Sequence, residues 1–304
     1  MVEAEEYSLS RRFGRFMAHE RDPRFDPRLT PYKDGVAEIA LQGVITAARY
    51  VVGELLTCNV TSAAISDEPG AHAEQSNQIL FGERFKVIER KHDYVWGQSM
   101  RDGYVGYVHA GAFTSDWHLP THFVSTLRTF VFADTSIKSA IKKILSLNSL
   151  VSVTREEGKF SFINDLGWVY SAHLSGFDRF AGDYVDVAET FLHAPYQWGG
   201  RESIGVDCSG LVQQALYATG RSCPRDTYMQ AAELGDVIEV GPDFGGLERG
   251  DLVFWKGHVA IMRDADTLIH ANAFHMKTAI EPLKDAVVRI EASGNGLPTV
   301  FRRP

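Results

Sequence analysis

Three side chains in the last third of the chain have the types and order of a nucleophile, a base and an orienting group: Cys208, His258 and His270. Cys208 opens the run Cys208–Ala218, in which Leu211, Val212, Ala215 and Leu216 recur at the spacing of one helix face. Asp207 stands where an N-cap belongs, and Gly220 where a C-terminal cap belongs. The pattern therefore puts Cys208 in the first turn of a helix. Free N–H groups and the positive end of the helix dipole favour thiolate over thiol there. The Cys208 amide is a candidate oxyanion donor, because first-turn amides lack intrahelical partners. Ser209 and Gly210 are small enough to let a substrate backbone approach. Without partners, such a cysteine would be only a small buried hydrophobe.

The partners lie downstream. Leu252–Trp255 reads as a strand entered through Gly250-Asp251, and residues 258–262 and 266–270 read as a hairpin around Arg263-Asp264-Ala265. Pairing Met262 with Asp266 sets Ala260 opposite Leu268 and His258 opposite His270. Directly opposed residues share a face, so the two imidazoles are expected to be neighbours. One would take the proton of Cys208, and the other would hold the first in the correct tautomer. His275 is a rival orienter, but its segment does not alternate cleanly, and it is read as structural. Cys208 and the two histidines are of types that bind zinc. A helix-start thiol aimed at an amide is the simpler use, so neither metal nor cofactor is expected. Cys223 reads as a packing thiol, and Cys58 has no partner at a metal-like spacing.

The elements that must position these residues come earlier. Residues 1 to about 35 are rich in Arg, Asp and Pro and read as an irregular arm; residues 35–51 carry apolar spacing that favours helix, with a break near Gly43. From residue 57 to 113 the pattern changes to short strands, clearest at 78–80, 84–89, 94–98 and 103–109, with turns at Gly82, His92-Asp93 and Asp102-Gly103. So many short strands in under about 60 residues suggest a small β-barrel. A similar layout recurs between about 121 and 174, so two copies of one barrel are expected. Trp96, Tyr104 and Tyr107 either face a ligand or fill barrel core. A short linker then leads to a helix starting at Tyr184.

Composition narrows the function classes. The chain has 304 residues and a net charge of −8, which argues against nucleic acid or an anionic membrane as the main partner. Its three cysteines are too few and too irregular for a disulfide framework and fit a reducing compartment. No stretch of 18 apolar residues offers a membrane span, and the N-terminus lacks the apolar run of a secretory signal, so the cytoplasm is the expected location.

The segments PYQWGG, DCSGLVQQAL, RGDLVFW, HVAI and LIHA, in that order over about 184–290, resemble the NlpC-type papain-like cysteine peptidases that act on bacterial cell-wall peptides. The two barrel segments resemble bacterial SH3-like domains, through residues 80–83 with 102–108 and through 167–170. The expected layout is an N-terminal arm and helix (1–55), two SH3-like barrels (56–115 and 120–176) and an α+β papain-like domain (182–304). The resemblance implies Cys208 as nucleophile, His258 as base and His270 as third member. It places the Tyr196 hydroxyl near the oxyanion site and Trp198 in the groove wall. Barrels before such a domain resemble murein-recycling members, which cleave γ-D-glutamyl–diamino acid bonds in freed peptides such as L-Ala-γ-D-Glu-meso-diaminopimelate and require an unblocked L-Ala. A free ammonium in a closed site needs an anion. Asp226 is the first candidate and Asp207 the second, although Asp226 is also placed to cap the next helix. Ser209 and Thr227 are candidates to bond the peptide, and Arg225 is read as a salt-bridge residue. The alternatives are a scaffold whose barrels bind cell wall while the triad is idle, and a general hydrolase of intact wall. A lipid acyltransferase is disfavoured, because those enzymes place histidine before cysteine.

Overall fold

In a computed structural model of the chain, residues 25–304 are described; most of the expected arm lies outside them. The helix expected over 35–51 does not form. Val36–Glu38 and Arg49–Val51 pair as parallel strands, joined by a 3-10 turn at Ile39–Leu41. Gly35 and Gly43 both take positive φ, which helix excludes. Val36 is buried with Ile88, Trp96 and Tyr107 on the neighbouring sheet, so tertiary packing overrides the helical spacing.

Seven antiparallel strands between Glu54 and Thr114 form one sheet around Ile65, Ile79, Phe85, Val95 and Val108. Phe85 and Val87 alternate inward until a bulge between Val87 and Glu89 shifts the register. Trp96, Tyr104 and Tyr107 are all buried, so none offers an exposed aromatic face. A second all-β unit runs from His122 to Gly176 as a three-stranded and a five-stranded sheet around Val124, Val131, Leu145 and Val169. Phe81 of the first unit is part of that second core, and Leu147 of the second unit reaches the core beneath the cysteine helix. The units interlock instead of hanging as beads.

The last unit is a six-stranded antiparallel sheet with helices on both faces. The helix Cys208–Ala218 lays Leu211, Val212, Ala215 and Leu216 against Val259, Ile261, Ile269 and Ala271. Burying each large apolar side chain contributes about 1.5–3 kcal/mol, which holds the helix start rigidly to the sheet. The helix Leu283–Ile290 covers the other face, over Ala260, Met262 and Leu268. Gly220 takes φ 77° just past the cysteine helix, the left-handed residue of a helix stop.

The hairpin register differs from expectation. Ile261 pairs with Ile269 and Met262 with Leu268, so His258 is not directly opposite His270. The Asp264 carboxylate accepts from the amides of Asp266 and Thr267 and from the Thr267 hydroxyl, and this holds a wider turn. The slip is two residues, so side-chain faces are conserved and the histidines become diagonal neighbours on one face.

Candidate active site

Asp207 caps the cysteine helix by accepting from the Gly210 amide at 2.7 Å. Its other oxygen takes the Gly199 amide at 2.8 Å, and Arg225 donates to both oxygens at 3.0 and 2.6 Å. With its lone pairs filled, Asp207 is no free anion for a substrate ammonium; it ties the Trp198–Gly200 turn to the helix start. Ser209 accepts from Arg225 at 2.8 Å, and both Ser209 and Asp207 still line the cavity beside Cys208; Arg225 is the salt-bridge residue expected. Gly210 is small for packing, not for substrate: a Cβ there would sit 2.2 Å from the Gly200 carbonyl oxygen.

The Cys208 sulfur lies 3.9 Å from the Thr227 hydroxyl and accepts from the Val259 amide, next to His258. Burial, together with the charge of Asp207, pushes the thiol up to about 11. The expected thiolate is therefore not the resting state: burial outweighs the helix end. Burial, with His270 beside it, also draws His258 down to about 3. Thiol and imidazole are both neutral near pH 7.

The imidazoles form a chain. His258 Nε2 is 2.9 Å from His270 Nδ1, and His270 Nε2 is 2.7 Å from Glu281 Oε1. Arg289, on the last helix, ion-pairs the same carboxylate. Burial alone would raise Glu281, but hydrogen bonds from His270 and Arg289 bring it down to about 2. An ionised carboxylate only accepts, so His270 carries its proton on Nε2. His270 Nδ1 then accepts from His258 Nε2–H, which leaves His258 Nδ1 as the bare base. Glu281 fixes the tautomer of His258 at one remove. It escaped sequence reading, although it lies opposite Leu268, two residues from His270 on the paired strand. The sulfur's resting bonds go to Thr227 and Val259 and not to His258; such contacts often tighten only with substrate bound.

His275 does not join the relay. Its ring and amide both bond Asn272 Oδ1, at 3.0 and 2.8 Å. His270, His275 and Glu281 place one ligand atom each within 4.8 Å of one another. His270 and Glu281 already bond each other, His275 bonds Asn272 and Glu281 pairs with Arg289, and a guanidinium beside the carboxylate opposes a cation.

Cys208 opens into a cavity lined also by Trp198, Asp226 and Thr227, and by Glu74 and Ser76 of the first β unit. Trp198 is 56% exposed and forms a wall, with its carbonyl held by Gln75 at 2.9 Å. Tyr196 is half-buried against the core; burial first, and then its nearness to Cys208 and Asp207, which would repel a phenolate, keep its phenol protonated. Asp226 does not cap its helix with its side chain. Its Oδ2 takes Arg28 and, at 3.4 Å, the Tyr104 hydroxyl. Thus Tyr104, buried in the first β unit, presents its one polar atom to the site. Arg28 lies 198 residues from Asp226 in sequence, beyond any local signal.

Residues 193–291 match the NlpC/P60 family, and residues 65–113 match the bacterial dipeptidyl-peptidase Sh3 domain. Dipeptidyl-peptidase 6 of Lysinibacillus sphaericus is 26% identical over 230 residues, 67% of this chain and 83% of that protein. A gamma-D-glutamyl-L-lysine dipeptidyl-peptidase of Bacillus subtilis is 26% identical over 219 residues, 64% of this chain and 71% of its own length. A crystal structure of an NlpC/P60 family protein from Bacillus cereus superposes with a TM-score of 0.68 at 18% identity, covering 82% of this chain and 99% of that one. That likeness is one of fold.

Proposed function

We propose that this chain, which carries an NlpC/P60 domain behind a bacterial SH3 domain, is a cysteine peptidase of cell-wall peptides that cuts the γ-D-glutamyl–diamino acid bond of freed peptides bearing an unblocked N-terminal L-Ala. The observation that carries the reading is one cavity holding both Cys208 and Asp226, narrowed by residues of the first β unit. In it, a nucleophile faces a carboxylate suited to an ammonium a short peptide away. The name of the Bacillus subtilis relative supports the same bond.

The neutral resting pair sets the order of events. As the peptide binds, His258 Nδ1 takes the thiol proton while the sulfur attacks the γ-carbonyl carbon. The Cys208 amide, in the first turn, faces the developing oxyanion. The His270–Glu281 chain stabilises the imidazolium that forms. His258 then protonates the leaving amine of the diamino acid. Water, deprotonated by His258, attacks the thioester carbonyl; the C–S bond breaks, the Cys208 sulfur takes the proton back from His258, and L-Ala-D-Glu is released.

A cavity narrowed by the first β unit suits short peptides better than intact wall, and so we place the activity in peptide recycling in the cytoplasm. Among the described residues no helix is long and apolar enough to cross a membrane. The second β unit is proposed to be SH3-like as well. Cleavage of L-Ala-γ-D-Glu-meso-diaminopimelate and its N-acetyl form tests the reading: the free peptide should be cut and the acetylated one spared. Equal cleavage of both would indicate a general wall hydrolase.

A further inference from the structure

The described part of the N-terminal segment crosses the mouth of the site. The Arg28 carbonyl accepts from the Val105 amide at 2.8 Å, and Gln98 donates to the Leu29 carbonyl at 2.8 Å, so the first β unit holds one side of this strap. Tyr228, beside Thr227, donates to Asp26 and holds the other. The Asp26 carboxylate and carbonyl fold the turn by taking the amides of Arg28, Leu29 and Thr30. Arg28 is thereby fixed on the cavity lining, its side chain half exposed.

Its charge there needs a reason. Arg28 and Tyr104 both use Oδ2 of Asp226, while Oδ1 takes no hydrogen bond from a described residue. A pocket built only for a cation would not hold a second cation against its anion. A neutralised pair gives little net pull on a simple ammonium or a simple carboxylate, and suits a ligand that carries both. Besides Asp207, which Arg225 holds, the lining has one more carboxylate, Glu74, and it stands on the first β unit. The first two residues of the proposed substrate carry both: the ammonium of L-Ala and, on the next residue, the free α-carboxylate left by γ-linkage.

We infer that Arg28 is a specificity-determining residue that binds the α-carboxylate of the γ-linked glutamate while Asp226 Oδ1 holds the ammonium, so that the strap and the catalytic unit read the two charges together. This rests on the function proposed above. The planar guanidinium can keep Oδ2 with one N–H and give others to the substrate.

The test compares L-Ala-γ-D-Glu-L-Lys with the same peptide carrying a carboxamide in place of the glutamate α-carboxylate, on the wild-type full chain and on Arg28→Met and Arg28→Lys. The wild type should prefer the carboxylate by about tenfold or more in kcat/KM. Arg28→Met should bring the two peptides within about twofold by losing activity on the carboxylate peptide alone, while discrimination against N-acetylation persists. Arg28→Lys should restore part of the preference. Thermal melting of each variant checks that the fold is kept. If Arg28→Met leaves the preference intact, or raises kcat/KM on the carboxylate peptide, the assignment is overturned and the function stands. If the wild type cuts neither peptide, the function falls and the assignment with it.

Discussion

Replacing Glu83 by Gln should destabilise the protein by about 3 kcal/mol, although Glu83 is far from the reacting atoms. Arg201 follows the turn that carries Trp198 and is fully buried; Glu83, on the first β unit, is buried against it. The two are joined at 3.0 and 3.2 Å, and Arg201 also donates to the Gln78 carbonyl at 2.6 Å. Breaking one side of a buried pair costs about 3–5 kcal/mol, because the surviving charge is left without its counterion. Asp102 stays 3.8 Å from the guanidinium and offsets part of the loss, which favours the lower end of that range. Glutamine keeps the shape, so little of the change is cavity. About 3 kcal/mol is a large share of a stability of about 5–15 kcal/mol, and urea denaturation followed by tryptophan fluorescence will resolve it. A loss under about 1 kcal/mol would refute the view that this ion pair bolts the first β unit to the catalytic turn.

Alkylation of Cys208 by iodoacetamide should speed up about tenfold per pH unit from 7 to 10, since a thiol pushed up to about 11 supplies thiolate only as pH rises; a plateau near neutral pH would mean a preformed thiolate–imidazolium pair. Glu281→Gln should lower kcat by at least about tenfold with KM nearly unchanged, with partial rescue by Glu281→Asp, because the tautomer of His258 is no longer fixed; steady-state kinetics with unaltered kcat would remove Glu281 from the relay. Gly210→Ala would ordinarily stabilise a helix by about 0.5–1 kcal/mol, but here its Cβ meets the Gly200 carbonyl, so the melting temperature should fall.

The sequence carried the site wherever its signal was local. Asp207, Cys208 and Gly220 announce a capped helix, and the four apolar residues between them show which face is buried. His258 and His270 fall on one face despite the wrong register, because a two-residue slip preserves parity. The register itself depended on Asp264 gathering three donors, which strand alternation does not encode. Glu281 was hidden because its strand follows the tight turn at Met276, with φ 49°, which broke the alternation. The sequence ranks Asp226 above Asp207 as ammonium partner through the resemblance alone, with no local signal that separates them physically. Their difference lies in Arg225 and Arg28, whose pairings depend on the assembled units. Periodicity favoured helix over residues 35–51; burial of Val36 against Ile88 and Trp96 decided for strand.

The central claim is that Cys208 forms and releases a thioester with a γ-D-glutamyl peptide. Mass spectrometry of L-Ala-γ-D-Glu-meso-diaminopimelate incubated with the wild type and with Cys208→Ala tests it most directly. Release of L-Ala-D-Glu and free diaminopimelate by the wild type, with intact peptide recovered from the folded variant, is the predicted result. Equal product from Cys208→Ala would contradict it.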